Sequence, residues 1–154
     1  ESMAAIFAKV ENQSFAVASD AEGRISDAGV LWRFKKGLPY VASPLLYRGR
    51  FYQVKNGGLI TCLDPRTGVP FYQEERLEAP GDYYASLVAA EGRIYATSQH
   101  GVVSVLAAGD TFQVLGRNPM GEAVHATPVP VGEQLLIRTA TKLYGFRDPK
   151  SPGR

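Results

Sequence analysis

Three segments of this 154-residue chain are versions of one another. Starting at Ala42, Ala85 and Ala126 they read A-S-P-L-L-Y-R-G-R-F-Y, A-S-L-V-A-A-E-G-R-I-Y and A-T-P-V-P-V-G-E-Q-L-L, and the starts lie 43 and 41 residues apart. The same features follow each start: a short apolar run, a Gly-containing turn, a second run, a polar turn and a third run. In the first full repeat the runs are 43–47, 50–54 and 59–63, with 69–75 able to add a fourth strand. The hairpin Lys55-Asn56-Gly57-Gly58 supplies the positive φ angles that only Gly and Asn adopt cheaply. The second repeat has runs at 86–89, 93–97, 102–106 and 111–116 around a hairpin at 98–101, and the third has runs at 127–131, 135–138 and 143–146. No helical periodicity of useful length competes with this pattern.

Periods of 40 to 50 residues built of short strands are the mark of propeller blades. The third runs carry apolar residues on both faces: Leu59, Ile60, Cys62 and Leu63, then Val102, Val103, Val105 and Leu106. A strand with one face in water alternates apolar with polar, so these strands need cover on both sides, which radially stacked blades give. A two-sheet sandwich also buries strands but does not predict a repeat of whole four-strand units. The N-terminal segment fits as a damaged repeat, with strands at 3–10, 15–18 and 30–34. The expectation is an all-β chain, a β-propeller segment of about three and a half four-stranded antiparallel blades. It divides into an incomplete blade at 1–36, blades at 37–78 and 79–118, an incomplete blade at 119–147 and a disordered tail at 148–154. About fourteen strands are expected, with a further hairpin at 11–13 and a last one at 139–142.

The stretch Cys62-Leu63-Asp64-Pro65-Arg66-Thr67-Gly68-Val69-Pro70-Phe71-Tyr72 narrows the type of propeller. Asp64 can cap the backbone N–H groups of the turn and Thr67 can bond inside it. Gly68 is placed for a left-handed conformation, and the terminal aromatic for packing on the next blade. The stretch resembles the docking motif Ala-x-Asp-x-x-Thr-Gly-x-x-x-Trp of the quinoprotein-like, pyrroloquinoline-quinone-repeat β-propeller superfamily, with Cys62 for the Ala and Tyr72 for the Trp. In the second repeat only a Gly109-Asp110 turn is left of the motif, while Trp32 supplies the expected Trp of the first. The resemblance is nearer to the cofactor-free lipoprotein type of the outer-membrane assembly machinery than to the dehydrogenases. It implies an exported bacterial protein, periplasmic or cell-surface. The superfamily's dehydrogenases hold their quinone and a calcium ion with acidic, amide and aromatic residues, often beside a vicinal Cys pair. The single cysteine excludes that pair here.

The formal net charge of +2 and the lack of any Lys/Arg cluster argue against a nucleic-acid partner. No apolar run approaches the roughly 20 residues that span a bilayer, and no basic-then-apolar leader opens the chain. Cys62 reads as a small buried apolar group. Glu74-Glu75 are adjacent on a strand and so point to opposite faces, which makes them edge-strand charges and not a catalytic pair. Ser43, Ser86 and Thr127 recur at one repeat position without an oriented base, the pattern of a structural hydroxyl. No metal-type spacing accompanies His100 or His125, and no catalytic residue is assigned.

In a propeller the loops that lead into the innermost strands share a rim with the hairpins between second and third strands. Here that rim carries Tyr40, Lys55, Tyr83, Tyr84, His100 and His125, the candidate binding residues. Tyr and His join an apolar body to a hydrogen-bonding tip, which suits a protein loop or a small polar ligand. The alternative for the aromatic members is plain packing of the channel mouth. The expected role leans away from catalysis, towards binding or scaffolding without cofactor. The alternatives are part of a quinone- and calcium-dependent dehydrogenase whose catalytic site lies on other blades, and a carbohydrate-binding or sensor propeller. Further partners expected are the remaining blades of the same propeller or a second copy of the chain.

Overall fold

The computed structural model describes residues 12–18, 22–24 and 26–147. Among them lie thirteen strands in four antiparallel sheets, and the one helical element is the 3-10 turn Asp27–Gly29. The first sheet pairs β1 (Ser14–Val17) with β2 (Val30–Phe34). The second holds β3 (Leu45–Tyr47), β4 (Arg50–Lys55), β5 (Leu59–Leu63) and β6 (Pro70–Arg76), and the third β7 (Val88–Ala90), β8 (Arg93–Thr97), β9 (Val102–Ala107) and β10 (Val114–Pro119). The fourth holds β11 (Val129–Val131), β12 (Gln134–Arg138) and β13 (Leu143–Arg147). In every sheet the strands neighbour one another in chain order, as blades require. The expected strand at 3–10 and the tail at 148–154 lie outside the described residues, as does Glu11 of the expected first hairpin.

Cover on both faces is visible residue by residue. Tyr52, Gln53 and Val54 are consecutive and all buried, and so are Ile60, Thr61, Cys62 and Leu63. One apolar cluster, including Tyr52, Ile60, Leu77, Ile94 and Leu106, joins the second and third sheets, and Val103, Val124 and Ile137 join the third to the fourth. Gln53 is buried between the first two sheets with its amide satisfied: Oε1 accepts from the Ser14 hydroxyl at 2.8 Å, and Nε2 donates to the carbonyls of Lys36 and Gly37 at 3.2 Å. A buried amide left unpaired there would cost about 1–3 kcal/mol.

The docking turn has the expected mechanics. Asp64 Oδ1 accepts from the backbone N–H groups of Arg66 and Thr67 at 2.7 and 3.2 Å, and Thr67 Oγ1 accepts from Val69 N–H at 3.3 Å. Gly68 has φ +70, and a Cβ there would sit 2.7 Å from Trp32 Cδ2. Trp32 of the first sheet therefore lies on the turn of the second, and its Nε1–H donates to Pro65 O at 2.8 Å. At the next seam Tyr72 meets Phe112 at 5.7 Å between ring centroids, and the Tyr52 hydroxyl accepts from Gly109 N–H at 3.1 Å. Arg50 and Asp110 clamp the same seam with two hydrogen bonds. Burial pushes the Cys62 thiol up to about 12, so it stays protonated and packs as an apolar group.

One strand is corrected, and one gains a bulge. The last strand of the third sheet runs Val114–Pro119 and not 111–116. Phe112 leaves the strand line to pack on Tyr72, and Ala107 N–H donates to Gln113 O at 3.0 Å, so a longer loop closes before pairing resumes. Glu74 and Glu75 do face opposite ways, but a bulge breaks the alternation just before them, between Gln73 and Glu74. Ile60 pairs with Glu75 and Cys62 with Tyr72, so Thr61 faces both Gln73 and Glu74 across a bulge. Glu74 takes φ 52, and its N–H donates to Thr61 Oγ1 at 3.0 Å.

Candidate binding rim

Hairpin tips and the loops leading into the inner strands are tied by backbone hydrogen bonds. Gly57 N–H donates to Gly81 O at 2.9 Å, Gln99 N–H to Asp82 O at 2.7 Å, Val124 N–H to Gln99 O at 3.1 Å and Ala140 N–H to Ala123 O at 2.9 Å. Each tip thus meets the loop of its own or the following sheet. The approach at Gly101 (φ +80) is so close that a Cβ would collide with the carbonyl oxygen of Glu122. Below the loops, the recurrent hydroxyls thread the blades together. Ser43 N–H donates to Ser86 Oγ and Ser86 N–H to Thr127 Oγ1, each at 3.0 Å. This is the structural role that their repetition suggested.

On this tied frame the six candidate residues separate. Tyr40 stands 78% exposed beside the half-exposed Val41. Tyr84 and His125 hold equivalent positions in the next two sheets and meet edge to face, centroids 5.9 Å apart at 80°. The Tyr84 hydroxyl donates to Asp82 Oδ2 at 3.1 Å, a bond that raises its pKa, with a further push from the Asp82 charge. Tyr84 and His125 thus meet across consecutive blades, while Tyr40 stands exposed one place before Val41, their counterpart in the second sheet. His100 is exposed on its hairpin against Gly81, where a Cβ would lie 3.2 Å from its ring. Lys55 pairs with Glu74 Oε1 at 3.8 Å.

Tyr83 is a correction. It is 1% exposed, its N–H donates to Asn56 Oδ1 at 2.9 Å, and its hydroxyl donates to Ala79 O at 2.8 Å. Burial raises its phenol pKa. It fills the core beneath the rim and offers nothing to a ligand. Adjacent tyrosines on extended backbone face opposite ways, and one of the pair had to turn inward.

The sequence reading passed over Glu122. Its carboxylate accepts from Thr139 Oγ1 at 2.7 Å and from Thr141 N–H at 3.1 Å, and it pairs with Lys142 Nζ at 3.1 Å. These donors, the Thr139 hydroxyl foremost, hold its pKa down at about 2. The residues that supply them, Thr139, Thr141 and Lys142, all lie in one hairpin. That run of hydroxyl and amine donors is the only sequence signal of the clasp.

A quinone and calcium would need carboxylate and amide donors converging on one point. Among the described residues no three His, Cys, Asp or Glu side chains come together, and the lone cysteine is sealed in a sheet. Also among the described residues, no helix is long and apolar enough to cross a membrane.

No protein-family model matches the chain, and no curated protein matches it at the level of sequence. Solved structures do. BamB from Moraxella catarrhalis is similar over 77% of this chain and 37% of its own, at TM-score 0.64 and 19% identity. Quinohemoprotein alcohol dehydrogenase ADHIIG from Pseudomonas putida HK5 is similar over 66% of this chain and 17% of its own, at TM-score 0.53 and 17% identity. The chain thus spans well under half the length of either. With its four sheets in blade order, the chain has a β-propeller fold, nearer in TM-score to BamB than to the alcohol dehydrogenase.

Proposed function

We propose that this chain is a non-catalytic binding or scaffolding segment of a propeller, and that the Tyr84–His125 pair, with the exposed Tyr40 on the preceding blade, receives a loop or extended peptide of a partner protein. The observation that carries this reading is the contact of Tyr84 with His125 on a rim tied by backbone hydrogen bonds. Such rings lose little entropy on binding, because their support is already ordered. The exposed rim carries amphipathic groups, which suits a peptide better than a lipid surface. The fold's likeness to BamB supports an exported, periplasmic or cell-surface setting. A carbohydrate is the second ligand class that Tyr and His would serve.

The test selects peptides against the chain from a displayed library and measures their affinity by fluorescence anisotropy. Tyr84→Ala and His125→Ala are expected to weaken binding about tenfold or more, with the melting temperature nearly unchanged. Tyr83→Ala, by contrast, is expected to lose about 3–5 kcal/mol of stability as a buried aromatic truncation. Rim variants that melt several degrees lower while binding is intact would show Tyr84 and His125 to be packing residues. Likeness to ADHIIG favours one other reading, a piece of a quinone-dependent dehydrogenase. Titration of the chain with the quinone, followed by absorbance with and without calcium, separates that reading from ours.

A further inference from the structure

Sheet register sets equivalent positions in consecutive blades. Ala16 pairs with Trp32, Cys62 with Tyr72 and Val105 with Gly116, so Trp32, Tyr72 and Gly116 hold the same place. In the same way Tyr47 pairs with Arg50 and Ala90 with Arg93, which makes Ala90 the counterpart of Tyr47. Trp32 closes the first seam and Tyr72 the second, where the Tyr47 hydroxyl also accepts from Gly92 N–H at 2.9 Å. The third seam, between the third and fourth sheets, has lost both rings. A Cβ on Gly116 would meet nothing nearer than Asn118 Nδ2 at 4.0 Å. The seam opens there as a cleft of about 390 Å³, with Arg93, Tyr95, Val103, Val105, Leu135 and Phe146 among its lining. That volume falls within the roughly 300–1,000 Å³ of small-molecule sites.

We propose that this seam binds a planar aromatic group, free or carried on a peptide, where the other two seams hold Trp32 and Tyr72. The lining suits a ring on both counts. Val103, Val105 and Leu135 give apolar contact, while Tyr95 and Phe146 can meet a ring edge to face and Arg93 can lie over one.

Indole and the tripeptide Gly-Trp-Gly, each titrated into the 15N-labelled chain, test the proposal through the amide shifts of Tyr95, Val103, Val105 and Leu135. Saturable shifts with either probe are expected. Tighter binding of the tripeptide assigns the ring to a peptide partner, and tighter binding of indole to a free ligand. Gly116→Trp and Ala90→Tyr each refill the seam with the chain's own ring. Each is expected to lower the affinity at least about tenfold and to raise the melting temperature by a few degrees. No saturable shift with either probe overturns the proposal, and so does undiminished binding in both refilled variants. If one variant does not fold, the other decides.

Discussion

Gly68 shows how a single residue couples backbone conformation to the joining of blades. Its φ of +70 is costly for any residue with a Cβ, and the space a Cβ would need is taken by Trp32. Gly68→Ala is therefore expected to lose about 2–4 kcal/mol in a denaturant titration, strain and displaced ring together. Glu122 shows a different kind of control. Its pKa falls from the ordinary 4.5 to about 2, so the carboxylate is held more firmly in the folded chain than in the unfolded one. The stabilisation is complete above about pH 4.5 and is lost as pH falls through about 2. Wild type is expected to lose more stability between pH 6 and pH 3 than Glu122→Gln, as read by urea midpoints. Equal losses in the two proteins would rule out the clasp. Gly68 was legible in the sequence because its turn has a pattern. Glu122 was not, because its partners gather only once a hairpin folds back on a loop. The inward turn of Tyr83 was hidden for the same reason: two adjacent tyrosines look alike until one is assigned to the core.

Most strands were legible as elements, since Gly-rich turns bound the apolar runs and both faces of β5 and β9 are apolar in the sequence. β10 was not, because its start depends on where Phe112 packs in the preceding blade, a contact across 40 residues between Tyr72 and Phe112. The bulge at Glu74 escaped for a similar reason: the residue that stabilises it, Thr61, lies on the neighbouring strand. The candidate site was half legible. Repeat position revealed Tyr84 and His125 as equivalents, but not which rim side chains touch. Repeat position did reveal the hydroxyl thread. Ser86→Ala and Thr127→Val each strip one acceptor from a backbone N–H that joins neighbouring blades. Each is expected to cost about 0.5–1.5 kcal/mol by urea denaturation. An effect within error for both would mean that water replaces the hydroxyl and the thread carries no stability.

At the scale of the whole molecule, the first two seams are sealed and the terminal sheets are not. The fourth sheet exposes Val129, Val131, Leu143 and Phe146, and the first exposes Phe15 and Leu31, each more than two-fifths accessible. β13 pairs on one side only among the described residues, which leaves a row of backbone donors and acceptors beside an apolar face. An unpaired edge next to exposed apolar surface recruits another strand or another face. The second and third sheets show how such a surface is satisfied here, by a neighbouring blade whose ring enters the seam. A second copy of the chain can offer its own terminal sheet for that purpose. The 154-residue chain alone is therefore expected to self-associate as its concentration rises, with the apparent mass by light scattering moving above 16.7 kDa. Leu143→Lys with Val129→Glu places charge on the face of the fourth sheet turned away from the third, and should return the chain towards monomer without unfolding it. A wild-type chain that stays a monodisperse monomer across that range would show the terminal faces to be satisfied within one copy. The association would then not arise from open blades.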